Sequence, residues 1–264
     1  MQWGKVSSFP AVYEELCVPG FFARFSDALL DVADVKPGER LLDVATGTGI
    51  VLRRARERQP GLARTTGVDL NPGMLAVARE TAPQEVELVE GDALALPFED
   101  ASFDVVTCQQ GCQFFPDRAR GLREFHRVLA AGGRSVVACW AEIEAAPGYA
   151  AVADATLEHL PELVGAARNP FVLHDADELR GLLESAGFEE VTVERIEGEA
   201  TFASPEEFAR SYVDGSALAT SLDDYPEEKR TALRADISER IRRLAGGGAN
   251  SLPLVTNIAH GRKL

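Results

Sequence analysis

The sequence predicts an α/β domain: a mostly parallel, doubly wound sheet of about seven strands, with helical insertions in its second half. Three observations carry that reading. From about residue 20 to residue 200, short apolar runs alternate with amphipathic stretches, the pattern of βαβ units. A glycine turn, Gly47-Thr48-Gly49, separates the first run from the first helical stretch. Acidic residues stand at or just past the first three runs, where such sheets bind ligands.

Arg40-Leu41-Leu42-Asp43-Val44 reads as the first strand, and the helix after the turn runs from Ile50 to about Gln59, stopped by Pro60-Gly61. Thr65–Leu70 reads as the second strand. Asn71-Pro72 opens a helix that reaches about Thr81. Glu85–Glu90 alternates apolar with acidic residues, as a third strand does, and Phe103–Cys108 is the fourth. Leu122, Phe125, Val128 and Leu129 fall at helical spacing within Arg118–Leu129. Ala131-Gly132-Gly133 should end that helix, with Arg134–Trp140 as the fifth strand. Asp177–Ala186 reads as a helix, Val191–Ile196 as the sixth strand and Leu252–Ala259 as the seventh. Between the last two, Pro205 to about Leu244 is helical and Gly246-Gly247-Gly248 is a flexible stop. This divides a single domain into N-terminal lid helices (1–30), a ligand-binding core (31–142) and cap segments (143–175 and 204–248).

The chain has 264 residues and a formal net charge of -15, a field that repels nucleic acid and anionic lipid. No apolar run approaches the ~18 residues of a membrane span, and Met1–Ser8 lacks the pattern of a secretory signal, so the cytoplasm is expected. Arg53, Arg54, Arg56 and Arg58 form a basic cluster, read as the solvated face of a helix. Cys17, Cys108, Cys112 and Cys139 lack zinc spacing, and no metal is expected. Cys108 and Cys139 read as small buried hydrophobes, and Cys112 lies near the site.

Gly47 and Gly49 let the backbone approach a ligand, and the following helix offers free N–H groups. A dinucleotide fingerprint needs a third glycine, and Leu52 stands there instead. Asp69 can take both hydroxyls of a ribose. Leu70 and Met74 can contact a purine, and Asp92 in Gly91-Asp92-Ala93 can accept from an adenine amino group. Gln109-Gln110 follow the fourth strand. Carboxylates at Asp43, Asp69 and Asp92 suit a ligand with a sulfonium and an amine, and would oppose a pyrophosphate.

These motifs resemble the class I S-adenosylmethionine-dependent methyltransferases over about residues 10 to 197. Leu42–Gly49 is similar to the family's first motif, with Ala45 where glycine is commonest. Val68–Met74 resembles the ribose motif, Gly91-Asp92-Ala93 with Leu96-Pro97-Phe98 the adenine motif, and Phe103–Val106 through Gln113–Asp117 the fourth-strand motif. Arg127–Gly133 resembles the family's "RVLxPGG" signature, with Ala131 in place of proline. The nearest branch is that of ubiquinone and menaquinone C-methyltransferases. The resemblance implies a Rossmann-like sheet with an antiparallel last strand, S-adenosylmethionine as cofactor and S-adenosylhomocysteine as product. It implies a small-molecule acceptor methylated at carbon, oxygen or nitrogen. The cofactor residues expected are Tyr13, Asp43, Ala45, Thr46, Gly47, Gly49, Asp69, Leu70, Met74, Gly91, Asp92, Ala93 and Gln109, with Gln113 and Phe114 bordering the acceptor.

No base is evident, since methyl transfer needs one only if the acceptor must lose a proton. The candidates for a catalytic role are His174, Tyr13 and Gln113. His126 reads as structural, while His159 or His260 could also face an acceptor. Two alternatives stay open: a cyclisation or rearrangement on the same fold, and a non-catalytic S-adenosylmethionine-binding partner. Oligomeric state is not encoded in any motif.

Overall fold

The computed structural model describes residues 9–246 and 250–264. Residues 1–8 of the expected lid and signal-free start, and Gly247-Gly248 of the glycine stop, lie outside the described residues. The chain opens with α1 (Phe9–Val12), a π-helix over Tyr13–Phe22, and α2 (Ala23–Ala33). The core follows as β1 (Arg40–Val44), α3 (Ile50–Arg58), β2 (Arg64–Asp69), α4 (Pro72–Thr81), β3 (Glu87–Glu90), β4 (Phe103–Gln109), α5 (Arg118–Val128) and β5 (Leu129–Trp140). A first insertion carries α6 (Pro147–His159) and α7 (Val164–Arg168), and α8 (Ala176–Ser185) leads to β6 (Glu189–Thr201). A second insertion carries α9 (Pro205–Gly215), α10 (Ala217–Leu222) and α11 (Glu227–Leu244), and β7 (Ser251–Arg262) closes the sheet.

The strand order is β3-β2-β1-β4-β5-β7-β6. Strands β1 to β5 pair in parallel, while β7 runs antiparallel to both β5 and β6. The chain winds outward from β1 to β3, then returns to β4 beside β1 and winds the other way. The switch point between β1 and β4 is where such sheets open a crevice at the strands' carboxyl ends.

Each face of the sheet is covered. Leu29, Leu30, Val51 and Leu52 of α2 and α3 bury one face, and Leu122, Phe125, Leu179 and Leu183 of α5 and α8 bury the other. A third cluster lies among the insertions, where Val152, Phe208, Val213, Leu233, Ile237 and Ile241 pack with Phe21 and Phe25. Local chemistry sets the helix starts. Asn71 caps α4, accepting from Gly73 N at 2.9 Å, with Pro72 in the first turn. Asp117, Asp175 and Ser204 cap α5, α8 and α9 in the same way.

Several boundaries differ from the sequence reading. Strand β3 starts at Glu87 rather than Glu85, because Val86 N closes a turn on Pro83 O. Ala131-Gly132-Gly133 do not end α5; β5 already begins at Leu129, which pairs with Phe103 before the register shifts to Val105–Arg134. Gly132, at φ 79°, and Gly133 lie in that irregularity. Strand β6 runs on to Thr201 because it pairs along the whole of β7, even at Gly198, where the Phe25 ring fills the space of a side chain. The first helices are not regular. Ala23 N donates to Val18 O across five residues, and Pro19 sits inside the π-helix.

The basic cluster is not free either. Arg54 and Arg58 pair with Glu57, Asp27 and Asp31, and Arg56 donates to Pro60 O and Leu62 O. All four cysteines are buried and reduced. No described helix is long and apolar enough to cross a membrane.

Candidate functional site

A cavity of about 470 Å³ opens at the carboxyl ends of β1, β2, β3 and β4 and continues under the insertions. The turn after β1 and the turn after β4 meet at its floor. Ala45 has φ 56° and Gln110 has φ 53°, two left-handed non-glycine residues at the switch point. A Cβ on Gly111 would stand 2.5 Å from the Ala45 Cβ, so glycine is required there for the two turns to touch. Gln110 donates to Thr256 Oγ1 at 3.0 Å and accepts from Gln113 at 3.2 Å, which ties this floor to β7.

Asp69, at the end of β2, is held by two backbone donors: Gly47 N on Oδ2 and Asn71 N on Oδ1, each at 2.8 Å. Burial still pushes its carboxyl above the usual range, against the lowering effect of these N–H groups. Leu70 lines the same end and is 51% exposed, an apolar surface that a planar ligand can cover. Gly91 lets the chain pass close by, since a Cβ there would meet Val68 and Pro97 at 2.9 and 3.0 Å. Asp92 accepts from Leu94 N at 2.8 Å at the rim.

The charge of the wall decides between ligands. Among the described residues that line the cavity, Asp69 and Asp92 are the charged ones, and there is no arginine, lysine or histidine. A phosphate would find no counter-charge, while a sulfonium and an ammonium would be welcome. The residues present therefore fit S-adenosylmethionine. A methyltransferase-domain family model matches residues 42–137. A demethylmenaquinone methyltransferase of Thermus thermophilus is 47% identical over 117 residues, 43% of this chain and 53% of that protein. A ubiquinone/menaquinone biosynthesis C-methyltransferase of Brucella anthropi is 32% identical over 217 residues, 74% of this chain and 81% of that protein. The chain belongs to the class I S-adenosylmethionine-dependent methyltransferase family. The chain thus spans only about half the length of the Thermus relative. The fold is also that of a Haemonchus contortus phosphoethanolamine N-methyltransferase solved with S-adenosylhomocysteine, at TM-score 0.63 and 20% identity, covering 97% of this chain and 57% of that one.

In this methyltransferase-family chain, Tyr13, Ala45, Gly47, Asp69, Leu70, Met74, Gly91, Asp92, Ala93, Gln109, Gln113 and Phe114 line the cavity. Asp43, Thr46 and Gly49 do not. Asp43 lies within β1 and points its carboxylate at Thr107, whose hydroxyl donates at 2.7 Å. Thr46 is buried in the turn, and Gly49 faces α4 as the N-cap of α3. The sequence reading expected all three at the cofactor; the structure places them in β1 and the turn beside the residues that line the cavity. Gln109 lines the wall but spends its amide on the N-terminal segment, accepting from Ser26 at 2.6 Å and donating to Phe22 O at 3.0 Å.

None of the histidines reaches the cavity. His174 turns Nδ1 to Phe171 O at 2.9 Å, and His159 pairs with Asp236. His260 sits opposite Val136 on β7, four residues back from the carboxyl end of β5 at Trp140, and so away from the end of the sheet where the cavity opens. His126 packs its ring on Phe188. Of the catalytic candidates, Tyr13 and Gln113 line the wall and His174 does not.

Asp43 carries a pH dependence. It is 1% exposed, and burial pushes its carboxyl up to about 7, with the Asp69 charge adding to the rise and the Thr107 bond opposing it. The folded pKa lies above the unfolded value near 3.9, so the native state holds an extra proton between about pH 4 and pH 7. Ionising Asp43 therefore removes stability as pH rises through that window. Asp43→Asn should match the parent below about pH 4 and exceed it by on the order of a few kcal/mol at pH 8, measured by urea unfolding. A gap that does not change with pH would refute the assignment.

The N-terminal segment closes one side. The Tyr13 ring approaches Gly47, lying 4.0 Å from where a Cβ would stand there, and stacks on Phe22 at 5.0 Å. Burial raises the Tyr13 hydroxyl well above its ordinary pKa, so it stays protonated. Arg53 fastens the segment: it donates to Thr48 O at 2.9 Å, to Thr81 Oγ1 at 2.6 Å and to Glu14 Oε1 at 2.7 Å. Arg53→Ala should weaken S-adenosylhomocysteine binding by roughly tenfold and expose residues 9–22 to protease. Unchanged affinity and unchanged cleavage together would show that the strap is idle.

The sequence reading missed the far wall. Phe21, Trp140, Tyr149, Val152, Tyr212 and Leu218 line it, from the N-terminal segment, the end of β5 and both insertions. A signal was available at Phe208, Tyr212 and Gly215, spaced along one face of a helix.

Proposed function

We propose that the chain transfers the methyl group of S-adenosylmethionine to a neutral, ring-bearing small molecule and releases S-adenosylhomocysteine. One observation carries the reading: a single cavity has both its carboxylates, Asp69 and Asp92, at the β2 and β3 ends, and an aromatic, uncharged wall opposite. When bound, S-adenosylmethionine supplies an electrophilic methyl group that an acceptor atom displaces in line. Asp69 would hold the ribose hydroxyls, Asp92 the adenine amino group, and Leu70 with Met74 the purine face. Ala45, Gly47 and Tyr13 would meet the methionine end.

The chain's part is to orient two reactants and keep water out, which can supply several kcal/mol. Residues 9–30 act in this reading as the lid, and residues 143–175 and 204–248 as caps over the acceptor. The far wall offers no carboxylate, imidazole or amine among the described residues. Nucleophilicity must then come from the acceptor, as it does in an electron-rich hydroxylated ring, and the proton that the ring gives up on methylation would pass to solvent. Relatives named for menaquinone and ubiquinone synthesis support an acceptor of that kind. The net charge of -15 supports a small molecule rather than nucleic acid, and the reading places the reaction in the cytoplasm.

The test uses purified protein, methyl-labelled S-adenosylmethionine and a set of hydroxylated aromatic acceptors that includes 1,4-dihydroxynaphthalene. Label should enter an acceptor as S-adenosylhomocysteine forms in equal amount. Acceptor converted without label transfer would overturn methyl transfer, and binding of S-adenosylhomocysteine without turnover of any acceptor would favour a non-catalytic partner.

A further inference from the structure

The aromatic wall holds two tyrosine hydroxyls without a partner in the chain, and they differ in access. That of Tyr212 is covered, so nothing in the cavity can touch it. Tyr149 makes no hydrogen bond either, but its hydroxyl is not among the covered, unpaired atoms of the described residues. That oxygen therefore keeps open surface. Tyr149 as a whole is only 6% exposed and lines the cavity, so the open surface faces the cavity rather than bulk solvent. An unbonded phenol in a buried wall is costly, and phenylalanine would pack the same ring without that cost.

The fold holds this hydroxyl in place. The Tyr149 ring stands edge-on to Phe171 at 4.9 Å and to Tyr212 at 4.5 Å. Helix α6 is close-packed at the same point, where a Cβ on Gly148 would stand 2.7 Å from the Phe208 ring. Burial raises the Tyr149 hydroxyl well above its ordinary pKa, with Cys17 adding to the rise, so the group stays a donor. Its position along the wall follows from Tyr13. The Tyr13 hydroxyl is raised by burial first, then by the nearby charges of Cys17, Tyr149 and Asp69. Such effects fall off with distance. The Tyr149 oxygen thus stands toward Tyr13 and the Asp69 end of the cavity, where the methionine end of the cofactor would meet the acceptor. Other polar side chains nearby are occupied: Gln110 and Gln113 bond each other, and the Ser211 hydroxyl donates to Phe208 O at 2.7 Å.

We propose that the Tyr149 hydroxyl donates a hydrogen bond to a neutral oxygen of the acceptor, a ring hydroxyl or carbonyl, and thereby selects oxygenated rings and sets how they face the methyl group. This deepens the methyl-transfer reading and rests on it for the name of the ligand. The wall's described residues include no cation, so a carboxylate or phosphate would find no counter-charge there. A site built to bond an oxygen rejects the analogue that lacks it. Tyr149 takes no proton in this role, and it is a specificity-determining residue that touches the acceptor.

The experiment compares the parent and Tyr149→Phe, each saturated with S-adenosylhomocysteine, in ligand-observed NMR titrations with 1-naphthol and 1-methylnaphthalene. The two probes match in shape and differ in the oxygen. The ratio of their affinities, 1-naphthol over 1-methylnaphthalene, should fall by about tenfold in Tyr149→Phe. The fall should come from 1-naphthol alone, with S-adenosylhomocysteine affinity unchanged. A ratio that is the same in both proteins would overturn the proposal. So would a variant that melts like the parent but binds S-adenosylhomocysteine less well, which would assign the hydroxyl to the cofactor. A second measurement needs no change at Tyr149. The chain has four tyrosines, and parent protein carrying ¹³Cζ-tyrosine gives one signal for each, assigned by substituting the other three. 1-Naphthol should move the Tyr149 signal further than 1-methylnaphthalene does, and equal movement would overturn the role even if Tyr149→Phe melts early. Both readouts are taken without turnover, so failure of label transfer would sink the methyl-transfer reading and leave them standing.

Discussion

Asp69→Ala should weaken S-adenosylhomocysteine binding by about two to three orders of magnitude, the largest loss expected from any single side chain in the cavity. Two effects add. The carboxylate would accept from two ribose hydroxyls, and a hydrogen bond to a charged group contributes roughly 1.5–3 kcal/mol. The same carboxylate holds Gly47 N and Asn71 N at 2.8 Å, so its removal also frees the glycine turn from the end of β2. About 3–4 kcal/mol corresponds to the stated loss, at 1.4 kcal/mol for each factor of ten. Calorimetric titration with S-adenosylhomocysteine measures it, and circular dichroism confirms that the variant is folded. A loss smaller than about fivefold would exclude Asp69 from ribose binding.

Gly111→Ala should damage both stability and binding, because its methyl would stand 2.5 Å from the Ala45 Cβ and 3.0 Å from Cys108 Sγ. The contact with the Ala45 Cβ cannot be relieved by rotating a side chain. Overpacking of this kind costs about 1–3 kcal/mol, which lowers the melting temperature by several degrees in a chain of this size. The displaced turn carries Gly47 with it, so cofactor affinity should fall as well. Ala45→Gly provides the diagnostic partner. That substitution alone removes a left-handed alanine at little cost, and in combination with Gly111→Ala it removes the colliding methyl. The double variant should recover most of the lost melting temperature, a coupling of about 1–2 kcal/mol. Losses that simply add would mean that the two turns do not touch.

The parallel half of the fold is legible in sequence because every constraint there is local. A strand, a turn and a helix start follow one another, and Asp69, Gly91 and Gln109 reach the cavity simply by standing at strand ends. Asp43 lies one residue before the end of β1, and its bond from Thr107 could not be read from sequence. His174 stands outside the cavity lining. Its ring bonds the carbonyl of Phe171, three residues back, and no sequence spacing reveals that. The insertions were recognisable as helical, but amphipathicity identifies a buried face without saying what it is buried against. Tyr212 was therefore not singled out, and its contact with Tyr149, sixty-three residues away in the chain, is visible only in the fold.

The bonds from Cys17 to Ser211 and Gly215 join residues 194 and 198 positions apart. Protein synthesis reads a chain from one end, so the early segment must wait for its late partner. While the ribosome is still making the second insertion, β1 to β4 can already pair, and their ligand-facing ends stand open to solvent. The cover over those ends seats only once α9 has emerged. The strand ends that face the cofactor are therefore made long before the segment that encloses them.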